Sequence, residues 1–105
     1  MKPLEAWIYF CKFDYGCVIC RRQGEHSYAE YHHRLSGGRR IGDFDGFGLC
    51  PTHHQSPNRK IVGRDHNLKR FEKAHGPEVE MQRETERAYE QFKATKVAPV
   101  MVKFA

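Results

Sequence analysis

A chain of 105 residues, with 18 Lys or Arg against 13 Asp or Glu, has room for one compact domain and no second. Leu, Ile, Val and Phe supply only 21 residues, about the level at which an unaided core fails, so a staple of disulfides or metal is expected. No apolar run approaches the roughly 18 residues of a membrane span, which excludes an integral helical membrane protein. Nor does a basic, then apolar, then small-residue series open the chain, so a cytoplasmic location is expected.

In chain order, Leu4, Trp7, Ile8 and Cys11 recur at the spacing of one helical face, inside an aromatic segment (4–13) that also holds Tyr9, Phe10 and Phe13. A strand is the alternative there. Gly16 introduces the pair Cys17-Val-Ile-Cys20, and residues 29–35 (AEYHHRL) are expected to be extended. Gly37, Gly38, Gly42, Gly46 and Gly48 predict a long flexible loop leading into a second short strand near 47–50. Cys50-Pro-Thr-His53 then opens a helix through His54, interrupted by Ser56-Pro57-Asn58. Asp65 as N-cap, Leu68 and Phe71 on one face, and Gly76-Pro77 as the stop predict the next helix. The last helix, 78–93, puts Met81, Thr85, Ala88, Tyr89 and Phe92 on one side, either docked on the core or offered to a partner. Its other side carries Glu80–Arg83, Glu84–Arg87 and Glu90–Lys93 at i,i+3. The tail, 95–105, is apolar and broken by Pro99, a terminal strand or an arm ordered on binding.

The excess positive charge is concentrated. Between 55 and 76 lie Arg59, Lys60, Arg64, Lys69, Arg70 and Lys73 against Asp65 and Glu72, a balance that suits phosphate contacts or a solvated helix face. The cysteines are more specific. A CxxC answered thirty residues later by a CxxH is not the even spread of a disulfide framework. It matches a tetrahedral zinc site of three thiolates and one imidazole, formed by Cys17, Cys20, Cys50 and His53. A redox CxxC is the rival reading. Cys11, left over, is expected as a small buried apolar residue.

Six of the seven histidines fall between 26 and 66, four of them as the doublets His32-His33 and His53-His54. If His53 closes the zinc site, His54 remains beside it on the same turn. On an extended strand His32 and His33 point to opposite sides. One can then hold a metal while the other faces a water across a bound phosphate, supplying cation and base for metal-assisted hydrolysis. An imidazole with its ordinary pKa near 6.5 is largely neutral at physiological pH and can take that proton.

Glu30-Tyr-His32-His33, a loop, and Leu49-Cys50-Pro-Thr-His53-His54-Gln together resemble the HNH endonucleases of the ββα-metal fold. More narrowly, the run from Cys17 to Gly76 is similar to the bacteriophage recombination-enhancement (RecA-dependent) nucleases and related small phage HNH proteins. These carry a CxxC, a strand ending in HH, an LCxxHH knuckle, and a segment that here reads His66-Asn-Leu-Lys-Arg-Phe-Glu72. The resemblance spans about 60 of the 105 residues and implies an α+β fold in one domain, 1–105. Within it, a zinc-stapled ββα-metal core over 17–76 carries an N-terminal helix before it and a C-terminal helix and tail, 77–105, after it.

The resemblance also implies roles. His33 matches the general base, and His32, His54 and His66 match ligands of a catalytic divalent ion (magnesium, manganese, nickel or zinc), apart from the structural zinc on Cys17, Cys20, Cys50 and His53. In the compact motif the last two ligands lie one helical turn apart. Here Asn58 holds that position, and the next histidine follows an inserted loop. The motif's central Asn has no counterpart between His33 and Cys50; Asp43 or Asp45 either orients a histidine or serves no role. The implied activity is hydrolysis of DNA phosphodiester bonds to 5′-phosphate and 3′-hydroxyl ends. Arg34, Arg39 and Arg40 from the glycine tract, with Arg59, Lys60 and Arg64, are placed to contact the DNA backbone, and the lack of a base-reading helix predicts weak sequence preference. DNA is the expected partner. A RecA filament, phage recombination and the host cytoplasm are implied by the resemblance alone. The rival function is a non-catalytic zinc-binding DNA-binding or adaptor module, in which His32, His33 and His54 are incidental.

Overall fold

The aromatic N-terminal segment is helical in the computed structural model, which describes residues 2–36, 39–55, 63–65 and 67–96. Helix α1 spans Pro3–Tyr9, opened by a proline whose missing N–H costs nothing there. It runs into a π-helical turn, Phe10–Asp14, closed by the Tyr15 N–H on the Phe10 carbonyl at 2.8 Å. The wider turn buries consecutive residues, Phe10 and Cys11, so Cys11 is the small interior residue expected of it.

Helix α2, Val18–Arg22, follows, then strand β1, Glu30–His33. Strand β4, Gly46–Leu49, pairs antiparallel with β1, setting Glu30 opposite Leu49, His32 opposite Phe47 and His33 opposite Gly46. Between them the composition predicts a loop, but β2, Leu35–Ser36, pairs with β3, Arg39–Arg40, as a second two-stranded sheet. Helix α3 is Pro51–Gln55, α4 is Leu68–His75 and α5 is Glu78–Thr95. The cap of α4 is Asn67 and not Asp65: the Asn67 Oδ1 accepts from the Arg70 N–H at 3.1 Å. On α5, Glu90 and Lys93 pair at 2.9 Å as the spacing predicts. Glu84 instead takes a two-pronged ion pair with Arg22, which also donates to the His75 carbonyl and so joins α2, α4 and α5. The tail 97–105, with Arg59, Lys60 and His66, lies outside the described residues.

The interior of this small α+β chain has two parts. One gathers Cys17, Val18, Ile19, Cys20, Phe47, Leu49, Cys50, Phe71 and Met81; the other gathers Trp7, Phe10 and Cys11 against Tyr89 and Phe92, with Tyr15 touching both. Met81 and Thr85 are buried and Ala88, Tyr89 and Phe92 face the aromatic part, so the apolar stripe of α5 is spent on the core. Among the described residues no helix is long and apolar enough to cross a membrane.

All four residues of β4 are buried, because the strand is pressed between β1, the π-helical turn and helices α2, α3 and α5. That closeness needs glycine at 48, where a Cβ would run into the Cys11 carbonyl oxygen and lie 2.6 Å from that of Gly16. Both obstacles are backbone, so neither can swing away. Gly48→Ala is therefore expected to lower the unfolding free energy by about 1–3 kcal/mol, seen as a lower denaturant midpoint. Gly42→Ala, whose Cβ would press on a mobile Asp45 carboxylate, is expected to cost less.

Candidate metal centres

The first centre forms where two helices begin. Gly16, at φ +74°, turns the chain into Cys17, and a Cβ there would strike the Ser27 carbonyl. The Cys17 N–H bonds to that carbonyl at 3.0 Å, and Cys17 caps α2 with its sulfur 3.5 Å from the Cys20 N–H. Across the core, Cys50 precedes α3 and His53 lies on that helix's first turn. Nδ1 of His53 is 3.6, 3.5 and 3.2 Å from the sulfurs of Cys17, Cys20 and Cys50, and the Cys20 and Cys50 sulfurs are 3.8 Å apart.

A zinc ion bonded at about 2.3 Å to sulfur and about 2.05 Å to nitrogen needs tetrahedral edges of about 3.8 Å between thiolates and about 3.6 Å from thiolate to imidazole. The Cys17–His53, Cys20–His53 and Cys20–Cys50 spacings match those edges, and Cys50–His53 is shorter. The Cys20–Cys50 separation is nearly twice a disulfide bond, and all four cysteines are free. The four buried donors could thus hold a structural zinc. Without a cation they are uncomfortable as ions: burial pushes the Cys17 and Cys20 thiols up and the His53 imidazole down. Helix α4 closes the outer side, with the His75 ring edge-on to His53 at 5.8 Å.

The second group lies one residue further along α3. A ring nitrogen of His32, one of His54 and a carboxylate oxygen of Asp65 are all within 4.8 Å of one another and could hold a metal ion. Each is positioned by a neighbour. His32 is only 4% exposed, stacked edge-on against its cross-strand partner Phe47 at 5.3 Å. Its Nε2 is 3.3 Å from Glu78 Oε1, which also accepts from Arg64 Nε at 2.6 Å. Burial would lift the Glu78 carboxyl, but the hydrogen bonds and charges of His32 and Arg64 outweigh it and hold the group below its ordinary value. His54 Nδ1 meets Glu30 Oε1 at 2.9 Å, leaving Nε2 toward Asp65 Oδ2 at 3.1 Å. A carboxylate on one ring nitrogen with the other aimed at the cluster is how ligating histidines are oriented.

Asp65 reaches the cluster through the backbone. The N–H groups of Arg64 and Asp65 bond to the carbonyls of His53 and His54 at 2.9 and 2.7 Å. These bonds satisfy two carbonyls of the last described turn of α3 and bring the Asp65 carboxylate to the cluster. The structure therefore brings His32 and His54 together and adds Asp65, which its sequence position made look like a cap. The nearest sequence signal was an acid directly beside His66. His66 itself is outside the described residues.

His33 projects to the other side of β1, where its ring meets Tyr31 edge-on at 4.9 Å. Burial, then the charge of Arg40, lowers its pKa against a smaller opposing pull from Asp43. Arg39 and Arg40 are exposed on β3, and Nε of Arg34 is buried without a hydrogen-bond partner among the described residues. Arg64, by contrast, is held by Glu78 and Asp65 with its side chain 11% exposed, so it serves the cluster and not a surface. Among the described residues Asp43 and Asp45 bond to no histidine; their carbonyls accept from the Tyr31 hydroxyl and the Arg34 N–H.

Purified protein is expected to carry about one tightly held zinc per chain, and a strong chelator to unfold it, followed by metal analysis and circular dichroism. Zinc displaces protons from the thiols, so its affinity is expected to fall as pH falls. Cys50→Ser is expected to lower zinc content and stability together. No family model, curated protein or solved structure matches this chain.

Proposed function

We propose that this chain is a metal-dependent DNA endonuclease of the HNH, ββα-metal type. The observation that carries the reading is the convergence of His32, His54 and Asp65 on a strand–strand–helix unit, β1, β4 and α3, beside a knuckle suited to zinc. In this reading the knuckle anchors the start of α3, so that His53 faces the structural ion while His54, about 100° further round the helix, faces β1.

His32, His54 and Asp65 would hold the catalytic ion, with Glu30 keeping His54 Nε2 free to bind it. When bound, that ion supplies Lewis-acid neutralisation of charge on the scissile phosphate and its departing 3′ oxygen. Two imidazoles and one carboxylate suit manganese, zinc, nickel or iron(II), and magnesium with added water. His33 accepts the proton of the attacking water. Arg40, whose charge reaches His33, holds the DNA backbone with Arg39 and Arg34. Contacts of that kind carry no sequence information, so cleavage is only weakly selective. The products are 5′-phosphate and 3′-hydroxyl ends. Action in phage recombination, a RecA filament as partner and the host cytoplasm as location belong to this reading through the family resemblance.

The test is cleavage of supercoiled plasmid by the zinc-loaded chain with added magnesium, manganese, nickel, zinc or iron(II). Nicking is expected with at least one ion. His33→Ala is expected to slow it about a hundredfold or more at unchanged zinc content. Asp65→Ala is expected to weaken activation by the added ion about tenfold or more, again with the structural zinc retained. Plasmid left intact with every ion, by a chain that still holds its zinc, rejects the enzyme and leaves a zinc-stapled binding module.

A further inference from the structure

Helix α5 passes α1 and the loop before β4, and the three border an open cavity of about 210 Å³ lined by Trp7, Phe44, Glu86, Tyr89, Glu90 and Lys93. None of the six belongs to either metal cluster, and nothing in the proposed cleavage reaction uses them.

The walls are held in place. Trp7 meets Tyr89 edge-on at 5.2 Å, and Phe10 backs Tyr89 at 4.9 Å. The Trp7 indole N–H donates to the Tyr31 hydroxyl at 2.8 Å, and that hydroxyl donates to the Asp43 carbonyl at 2.8 Å, tying α1 to the loop. Gln82, buried at 3% exposure, donates its side-chain amide to the Phe44 carbonyl at 3.1 Å. Phe44 nevertheless keeps 52% of its surface exposed at the cavity, where no core cluster includes it.

The Tyr89 ring, over which a cation already lies, and two carboxylates beside a half-exposed Phe44 and a nearly buried Trp7 select for a cation. Ring faces are negative, and an anion would meet Glu86 and Glu90. The chain already places a cation of its own there: Lys93 Nζ lies 5.0 Å from the Tyr89 ring centroid and 2.9 Å from Glu90 Oε1. An ammonium is a strongly hydrated point charge. A guanidinium is flat and weakly hydrated, stacks on a ring and meets a carboxylate with two parallel N–H groups. We infer that this cavity is a binding site for an alkylguanidinium, the head group of arginine, which takes the place of the Lys93 ammonium on Tyr89. The inference stands apart from the nuclease reading.

The test is a titration of the full-length, zinc-loaded chain by ¹H–¹⁵N NMR, where the single tryptophan gives one indole N–H signal. The probes are agmatine, an acetylated Gly-Arg-Gly amide and the neutral analogue N-butylurea. Saturable millimolar shifts at the Trp7 indole and at the amides of Phe44, Glu86 and Glu90 are expected with both guanidinium probes and not with the urea. Glu86→Gln and Glu90→Gln, on the exposed side of α5, are each expected to weaken binding about threefold. Lys93→Met is expected to strengthen it about threefold by removing the internal competitor. Equal affinities assign the site to a free guanidino compound; a tighter peptide assigns it to an arginine of a polypeptide. Absence of saturable shifts with both guanidinium probes, an equal response to the urea, or unchanged affinity in Lys93→Met overturns the proposal.

Discussion

Three sulfurs and one imidazole nitrogen converging on a single point are the constraint from which the rest of this chain hangs. They tie the start of α2 to the start of α3 across thirty residues of sequence, and Cys17, Cys20 and Cys50 belong to the same buried cluster as Val18, Ile19, Phe47, Leu49, Phe71 and Met81. Staple and core are therefore one object. A chain with so few aliphatic side chains has little to spend on burial, and much of what it buries lines the knuckle. Burial also makes a cation favourable there, since the Cys17 and Cys20 thiols, taken from water, resist ionising on their own.

The second cluster inherits its position from the first. Once the knuckle fixes the first turn of α3, His53 and His54 must diverge around the helix, and His54 meets the face of β1 that carries Glu30 and His32. Strand alternation sends Tyr31 and His33 the other way. Buried Glu78 from α5 and Arg64 from the returning segment close the back of the cluster through one shared carboxylate oxygen. A carboxylate that serves a histidine and an arginine at once stays charged despite its burial, because two partners outweigh the lost water.

The aromatic half of the interior has a different character. It is built from rings, with Phe10 and Tyr89 about 5–6.5 Å from each other and from both Trp7 and Phe92, and it joins the knuckle half through Tyr15. Arg21 braces that junction, lying over the Tyr15 ring at 4.4 Å while donating to the carbonyls of Asp14 and Tyr15. Helix α5 runs along both halves, with Met81 on the knuckle side and Ala88, Tyr89 and Phe92 on the aromatic side.

Local chemistry made much of this legible before folding. The two-residue gaps of Cys17–Cys20 and Cys50–His53 specify their own convergence, the His32-His33 doublet on a strand specifies divergence, and the apolar stripe of α5 specifies a docked face. Each depends on geometry a few residues long, although only the fold decides that the α5 stripe meets this chain's own core and not a partner. What the sequence could not settle depends on segments meeting from far away. Asp65 resembles a cap because capping is local; it joins the histidines only because the chain returns to the open carbonyls of α3. Glu84 looks destined for Arg87 on its own helix, yet Arg22, 62 residues away, wins with a two-pronged, partly shielded contact that an exposed helix pair does not match. The glycine tract has no alternating pattern to mark β2 and β3, so only the pairing of Leu35 with Arg40 reveals them. Sequence thus determined which thiols and imidazoles could meet at a metal and on which side of their elements they stand, because helix and strand periods are intrinsic to the backbone. Tertiary structure decided which carboxylates complete the clusters, because that choice turns on which distant segment satisfies a buried or open-ended polar group.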